Sequence, residues 1–245
     1  MSDEGRAAQA GSFGAAADVY ERGRPGYPEE ALDWLLPPGA RRVLDLGAGT
    51  GKLTRQLVAR GLEVVAVEPA DGMRVELRRA VPDATALAGS AESIPLTDAC
   101  VEAVLVAQAW HWVDVSRAVP EVARVLRPGG RLGLVWNSRD ERVGWVAELG
   151  RIMSGGVEHF DLAQPPVGPP FAPIERRDFA WSDPITPDGL IDLVASRSYM
   201  IIAPPDRRES TFAAVRRLLC EHPDLAGRDR FEMPYVTRCS RAHLA

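Results

Sequence analysis

Residues 43–51, with the sequence VLDLGAGTG, restrict the possible folds of this chain more than any other stretch. The first four residues are apolar apart from Asp45, as expected of a short buried strand. Three glycines follow at alternate positions, and because glycine lacks a Cβ they let a ligand come close to the backbone. An amphipathic segment comes next, and the free N–H groups and positive dipole end of a helix beginning there would face that ligand. The stretch therefore predicts a strand–turn–helix unit that binds a cofactor.

The spacing of the glycines and the position of Asp45 distinguish between two classes of cofactor. A dinucleotide-binding turn has the pattern G-x-G-x-x-G, whereas Gly47, Gly49 and Gly51 give G-x-G-x-G. The carboxylate of Asp45 would repel a pyrophosphate but attract an amine. S-adenosylmethionine carries an amine, a sulfonium and a ribose with two free hydroxyl groups. The pattern therefore favours S-adenosylmethionine over a nicotinamide dinucleotide.

A second acid, Glu68, ends the next apolar run, which begins at Glu63. It would lie at the carboxyl end of a neighbouring strand, where open α/β sheets bind their ligands. A carboxylate at that position can accept hydrogen bonds from both ribose hydroxyl groups. Asp45 and Glu68 could instead be solvated loop acids, but their spacing around three glycines favours a ligand-binding pair.

Three motifs resemble those of the class I S-adenosylmethionine-dependent methyltransferases. They are Asp45–Gly51 together with Glu68-Pro69, the segment Gly89–Pro95 (GSAESIP), and the segment Arg124–Gly130 (RVLRPGG). The resemblance extends over residues 13 to about 137. Within that family, Tyr20 with Arg24–Pro28 and the Trp110-His111-Trp112 run resemble the methyltransferase type 11 branch that includes trans-aconitate methyltransferase-like enzymes.

The resemblance implies a fuller set of cofactor contacts than the glycine turn alone. It implies that Met73 packs on the adenine, although a plain core methionine is an equal alternative, and that the Ala91 N–H bonds the adenine edge. It also implies that the N-terminal arm covers the cofactor, with Arg24 pairing with its carboxylate; an arm packed only on the surface is the alternative. The predicted cofactor-binding residues are Tyr20, Arg24, Asp45, Gly47, Ala48, Gly49, Gly51, Glu68, Pro69, Met73, Ser90, Ala91, Glu92 and Gln108.

Two tryptophans and a histidine follow the apolar run 101–107. They could form an aromatic wall that supports the next helix, or line the substrate pocket beside the transferable methyl group. In the second case His111 is a candidate catalytic general base, because the unperturbed pKa of histidine lies near neutrality. Predicted substrate-binding residues are Tyr27, Trp110, Trp112, Trp136 and Asn137.

Strands that alternate with helices predict an α/β fold. We expect a Rossmann-like, doubly wound sheet of seven mostly parallel strands with helices on both faces and, by the resemblance, an antiparallel last strand. Residues 1–28 are interpreted as an arm or lid. Residues 29–245 are interpreted as one methyltransferase domain, with a cofactor half at about 29–137 and a substrate-side half at about 138–245.

Some element boundaries are predicted with less support from the pattern. Strands five, six and seven are expected at Arg131–Val135, Ile174–Trp181 and Phe231–Arg241. Pro120 falls inside the predicted helix Ser116–Leu126, which predicts a late start or a kink because proline lacks the N–H that a helix interior uses.

Composition excludes several other classes of protein. The net charge is −5 and basic residues are interspersed with acids, so we expect no nucleic-acid partner. Apolar runs fall short of membrane-spanning length, so no membrane partner is expected. The three cysteines have no metal-ligand spacing, which predicts no metal site and favours a reducing, cytoplasmic location. The oligomeric state is left open.

These features predict an S-adenosylmethionine-dependent methyltransferase that acts on a small molecule and releases S-adenosylhomocysteine. O-methylation of a carboxylate or hydroxyl group is favoured. The alternatives are C- or N-methylation of a specialised metabolite, and a cofactor-binding protein of the same fold that does not transfer methyl. A nicotinamide dehydrogenase is disfavoured by the glycine spacing and by Asp45.

Overall fold

The computed structural model of the chain describes residues 24–154, 165–201 and 203–245. The strands are β1 (Arg42–Leu46), β2 (Glu63–Val67), β3 (Thr85–Leu87), β4 (Val101–Ala107), β5 (Leu126–Arg139), β6 (Glu175–Ile185) and β7 (Phe231–His243). The α-helices are α1 (Glu29–Leu35), α2 (Lys52–Ala59), α3 (Asp71–Ala80), α4 (Val115–Val125), α5 (Gly144–Ser154), α6 (Pro187–Ala195), α7 (Ser198–Ile201) and α8 (Pro205–Glu221), and a 3₁₀ helix spans Trp110–Trp112.

The described strands form one seven-stranded sheet in the order β3-β2-β1-β4-β5-β7-β6. Strands β1 to β5 pair in parallel, while β7 runs antiparallel to both β5 and β6. This confirms the predicted mostly parallel sheet with an antiparallel last strand. The strand order reverses between β1 and β4, and open α/β sheets bind ligands in the crevice at such a point.

The central strands are buried on both faces, which explains their nearly continuous apolar sequences. Side chains of β1 and β4 alternate between two core clusters. On one face Val43 and Ala103 pack with helices α1 and α2. On the other face Leu44 and Val104 pack with α4. Helices therefore cover both faces, as predicted.

A third core cluster lies in the C-terminal half. Helices α5, α6 and α8 contribute Trp145, Leu193 and Leu218, and β7 contributes Met233 and Tyr235. The cluster packs along the antiparallel part of the sheet, beyond the edge where the parallel strands end. These elements therefore form the far wall of the crevice.

The last three strands are longer than predicted. β5 continues to Arg139 and β7 to His243, because the two strands pair along nine positions from Arg131↔His243 to Arg139↔Tyr235. This ladder satisfies the backbone groups of the polar end of β5, which carries no strand pattern of its own. Strand β6 likewise extends to Ile185 by pairing with β7.

Helix α4 contains Pro120 but does not start late. It begins at Val115, and the side chain of Asp114 accepts a hydrogen bond from the Ser116 N–H as an N-cap. The cap stabilises the first turn. Of the two effects expected of Pro120 the late start is therefore wrong, and the kink stays a prediction. None of the described helices is long and apolar enough to cross a membrane, and the described residues include no cluster of three or more potential metal ligands.

Candidate functional site

The glycine turn joins β1 to α2 at the carboxyl edge of the sheet. Gly49 and Gly51 have φ angles of 57° and 93°, in the left-handed region that glycine adopts without strain. A Cβ on Gly51 would come within 3.2 Å of Val81, whereas a Cβ on Gly49 would meet nothing within 4 Å. The third glycine is therefore required by close packing, and the second leaves open space beside the backbone.

Asp45 lies at the end of β1 beneath this turn and is fully buried. Its Oδ2 accepts a hydrogen bond of 2.6 Å from Thr54 Oγ1. Its Oδ1 is also buried and has no partner in the part of the chain that the structure describes. Burial raises the pKa of Asp45 to about 7, against the hydrogen bond from Thr54, and the charge of Glu68 adds to the rise. An orphaned carboxylate oxygen here suits a positively charged N–H donor.

Glu68 follows β2 and is also buried. Its Oε2 accepts from the Gly49 N–H at 2.9 Å and its Oε1 from the Ala70 N–H at 2.9 Å. Burial raises the pKa of this carboxyl, and the two backbone hydrogen bonds oppose the rise. Each oxygen keeps capacity for a further hydrogen bond. Arg74 holds the backbone of residues 68–69 in place by donating hydrogen bonds to the carbonyls of Glu68 and Pro69, both at 2.7 Å.

The loops after β2 and β3 lie along the same sheet edge. Met73 is buried on α3, and Ala91 is buried after β3. Ser90 pairs with Ser93 in an isolated antiparallel bridge, so this loop is a closed turn. The carboxylate of Glu92 accepts the Asp114 N–H at 2.8 Å, which ties the loop after β3 to the start of α4.

A cleft of about 560 Å³ opens above the glycine turn. It brings together seven of the predicted site residues. The lining residues are Arg24, Pro25, Tyr27, Gly47, Ala48, Gly49, Thr50, Lys52, Leu53, Ala107, Gln108, Asn137, Arg197 and Tyr235.

Asn137 fixes the segment 24–28 over the cleft. Its Nδ2 donates to the carbonyl of Gly26 at 2.7 Å, and its Oδ1 accepts from Thr237 Oγ1 at 2.6 Å. Gln56 clamps the same segment through two hydrogen bonds to the backbone of Tyr27, at 2.8 and 2.7 Å. Tyr20 and the rest of residues 1–23 lie outside the described residues, so the predicted arm is untested there.

The aromatic residues Trp110, His111 and Trp112 after β4, and Trp136 within β5, do not line the cleft. Trp110 and Trp136 are almost fully buried in the core cluster that packs on α4, and Trp110 Nε1 donates to the carbonyl of Pro166 at 3.0 Å. The rings of His111 and Trp112 lie side by side with centroids 4.6 Å apart. Burial lowers the pKa of His111 to about 4. The geometry favours the aromatic-wall interpretation for Trp110, and it places Trp136 in the core.

Seven lining residues are absent from the predicted site. Five of them lie within two residues of a predicted one in the sequence, whereas Arg197 and Tyr235 do not, and no local motif surrounds these two. Tyr235 reaches the cleft because β7 pairs with β5, and Arg197 reaches it because it joins α6 to α7. Only the tertiary structure makes this part of the site visible.

Residues 44–134 match the family described as a methyltransferase domain. The chain is 60% identical over 235 residues to an uncharacterized methyltransferase of Mycobacterium tuberculosis, covering 96% of both chains. It is 33% identical over 229 residues to an uncharacterized methyltransferase-like protein of Schizosaccharomyces pombe, covering 89% of this chain and 90% of the relative. The chain therefore belongs to the class I S-adenosylmethionine-dependent methyltransferases.

The fold agrees with that membership. A type II methyltransferase structure from Anaeromyxobacter dehalogenans superposes with a TM-score of 0.63 at 24% identity, covering 90% of this chain and 96% of that one. Membership of the family makes the protein a methyltransferase, and the family uses S-adenosylmethionine. Three features fit this cofactor. They are the buried Oδ1 of Asp45, which has no partner among the described residues, the two Glu68 oxygens, which can each accept a further hydrogen bond, and the open space beside Gly49.

Proposed function

We propose that the enzyme transfers methyl to an oxygen atom of a small molecule, and that the acceptor is a carboxylate. The observation that carries this proposal is the lining of the cleft. Among the described residues, the lining includes the cationic side chains of Arg24, Lys52 and Arg197 but no aspartate, glutamate or histidine. An anionic acceptor suits such a lining, and the described part of it offers no carboxylate or imidazole to remove a proton.

The cofactor, when bound, supplies an electrophilic methyl group on its sulfonium. We assign the orphaned Oδ1 of Asp45 to its ammonium and the two oxygens of Glu68 to its ribose hydroxyl groups. Gly47, Ala48 and Gly49 form the floor, with Gly51 starting helix α2 behind them. Both carboxylates are held by hydrogen bonds before any ligand arrives, so little reorganisation accompanies binding.

The same family resemblance supports assignments of residues near the adenine of the cofactor and at the entrance of the cleft. Met73 and the Ala91 N–H are proposed to contact the adenine, with Pro69, Ser90 and Glu92 shaping the loops around it. Gln108, which lines the cleft after β4, is proposed to lie near the methionine end. The segment 24–28 is held over the cleft by Asn137, which supports a covering role for residues 1–28, with Tyr20 and Arg24 on the cofactor.

The absence of a carboxylate or imidazole base in the described lining favours a carboxylate over a hydroxyl acceptor. A carboxylate is already a nucleophile, whereas a hydroxyl group must lose a proton during attack. His111 lies outside the lining, and a pKa of about 4 makes it a weak base. The protein's contribution is then to hold the carboxylate in line with the S–CH₃ bond, and positioning of this kind supplies much of a rate enhancement.

The first test measures cofactor binding. Wild type, Glu68→Ala and the matched control Glu209→Ala, an exposed acid on α8, are compared by thermal shift with S-adenosylmethionine, S-adenosylhomocysteine and NAD. At about 100 times its dissociation constant a ligand adds roughly 2.7 kcal/mol to stability, which is a rise of a few degrees. We expect that rise for both adenosyl ligands in wild type and control, and its loss in Glu68→Ala. Stabilisation by NAD alone would refute the proposal.

The second test measures S-adenosylhomocysteine release with a panel of small carboxylic acids and matched alcohols. We expect release with acids and not with alcohols. Binding without release for either group would support the non-transferring alternative, and release with alcohols or amines alone would show that the acceptor class is wrong.

A further inference from the structure

Asn137, Thr237 and Trp181 lie in a row on one face of the antiparallel strands. Asn137 on β5 and Thr237 on β7 are register partners, so their side chains stand on the same face of the sheet. Trp181 on β6 is the register partner of Tyr235, two positions from Thr237, and a diagonal neighbour at that separation is within reach of a long aromatic side chain. The row therefore runs from the outer strand β6 to the cleft, which Asn137 lines.

Two hydrogen bonds connect the row. The indole Nε1 of Trp181 donates to Thr237 Oγ1 at 2.7 Å, and Thr237 Oγ1 donates to Asn137 Oδ1 at 2.6 Å. The ring of Trp181 stacks on Tyr235, with centroids 5.3 Å apart and planes at 25°, which holds the indole N–H in place. Thr237 is fully buried, so water does not compete for its hydroxyl group.

The chemistry of the three groups sets the direction of these bonds. An indole N–H can donate but not accept, and a hydroxyl group has a single proton. Because Trp181 donates to Thr237, the hydroxyl proton is available for Asn137 Oδ1. The Asn137 amide is thereby turned so that its Nδ2 donates to the carbonyl of Gly26 at 2.7 Å. The reverse amide orientation would place Oδ1 against that carbonyl, with no proton between the two acceptors.

Gly26 belongs to the segment 24–28, which passes between two side-chain amides. On the side of the glycine turn, Gln56 on α2 accepts from and donates to the backbone of Tyr27. On the opposite side, the Asn137 amide donates to Gly26. A Cβ on Gly26 would lie 2.9 Å from Gln56 Oε1, so the passage is narrow. Loss of the Asn137 orientation would release the middle of the segment from β5.

We propose that Thr237 and Trp181 are positioning residues for the cofactor, because they orient the Asn137 amide and so keep the segment 24–28 closed over bound S-adenosylmethionine or S-adenosylhomocysteine. Neither side chain is among the described lining residues of the cleft, so both act through Asn137. This inference rests on the proposed function, in which that segment covers the cofactor. On this proposal Asn137 holds the protein backbone, whereas the sequence predicted a contact with the substrate.

The test follows the association and dissociation of S-adenosylhomocysteine by surface plasmon resonance. The proteins are the full chain as wild type, Thr237→Val, Thr237→Ser and the matched control Thr85→Val, an exposed threonine on β3. Valine keeps the shape of threonine without the hydroxyl group, whereas serine keeps the hydroxyl group. We expect the dissociation rate of Thr237→Val to rise about three- to tenfold, the effect of one lost hydrogen bond. Its association rate should change by less than about twofold, and Thr237→Ser and the control should match wild type.

A second variant tests the first donor of the row. Trp181→Phe removes the indole N–H and keeps an aromatic ring against Tyr235. We expect it to raise the dissociation rate by itself but not when it is added to Thr237→Val, because the hydroxyl group that transmits its effect is then absent. With ligand bound, hydrogen exchange of the Tyr27 amide, which donates to Gln56, should be faster in Thr237→Val than in wild type.

A purely structural role predicts a different pattern. If Thr237→Val lowers the melting temperature but leaves the dissociation rate unchanged, the positioning role is refuted. It is also refuted if Thr237→Ser releases the ligand as fast as Thr237→Val does, or if the effects of Trp181→Phe and Thr237→Val are additive. Wild type that binds S-adenosylhomocysteine as expected, with equal rates in all variants, overturns this inference and leaves the proposed function standing. Wild type that does not bind the ligand refutes the proposed function itself.

Discussion

The proposed cofactor site links ligand binding to the ionisation of Asp45. Its carboxyl has a pKa of about 7 in the cofactor-free protein, so it is roughly 90% protonated at pH 6. An ammonium group at Oδ1 requires the ionised form. Binding of S-adenosylhomocysteine at pH 6 should therefore release about 0.9 proton per ligand, and the affinity should rise roughly 16-fold between pH 5.5 and pH 7.

Calorimetry in two buffers of different ionisation enthalpy measures this proton release directly. Asp45→Asn keeps the size of the side chain but removes the titration, so it should bind the ligand more weakly and with almost no proton release in this range. A pH-independent affinity in wild type would refute the reasoning. So would an equal proton release in the variant, because the proton would then come from another group.

Three further expectations follow from the same contacts. The pKa of Asp45 is raised from 3.8 to about 7 in the folded state, so its stabilising contribution is full below about pH 4 and is lost as pH rises through about 7. Urea unfolding should show lower stability at pH 8 than at pH 5, by at most about 2.7 kcal/mol, and Asp45→Asn should flatten this dependence. Gly51→Ala places an alanine with left-handed backbone against Val81, so it should lower the free energy of unfolding by about 1–2 kcal/mol with little added effect on cofactor affinity. Gly49→Ala has open space beside it and should weaken S-adenosylhomocysteine binding more than Gly51→Ala does. His111→Ala should leave turnover of a carboxylate acceptor unchanged, and a loss of more than about tenfold would restore a base role for this residue.

Local patterns predicted the parallel part of the fold well. Strand β4 occupies the predicted residues Val101–Ala107, because a central parallel strand is buried on both faces and reads as one apolar run. The lengths of the strands in the antiparallel part were underestimated. The end of β5 near Arg139 is polar, and it becomes a strand only through its pairing with β7. Helix α4 shows the same limit, since its start depends on the cap from Asp114 rather than on Pro120.

The candidate site likewise has one part that local sequence patterns predict and one part that they do not. The proximity of Asp45, the glycine turn and Glu68 could be predicted, because all three stand at the carboxyl ends of neighbouring parallel strands. The positions of Arg197 and Tyr235 in the cleft could not, because these residues come from distant elements and have no motif around them. Trp110 and Trp136 were predicted to line the substrate pocket, but both are buried in the core. Aromatic residues near a strand end suit both a pocket and a core, and only burial separates the two.

The most direct test of the central claim identifies the atom that receives the methyl group. Wild type and Glu68→Ala are incubated with S-adenosylmethionine carrying a ¹³C-labelled methyl group and a panel of small mono- and dicarboxylic acids, and the products are examined by NMR. The account predicts a methyl ester, formed in equal amount to S-adenosylhomocysteine by wild type and lost in the variant. A label on carbon, nitrogen or a hydroxyl oxygen, or no transfer to any acid, would contradict it.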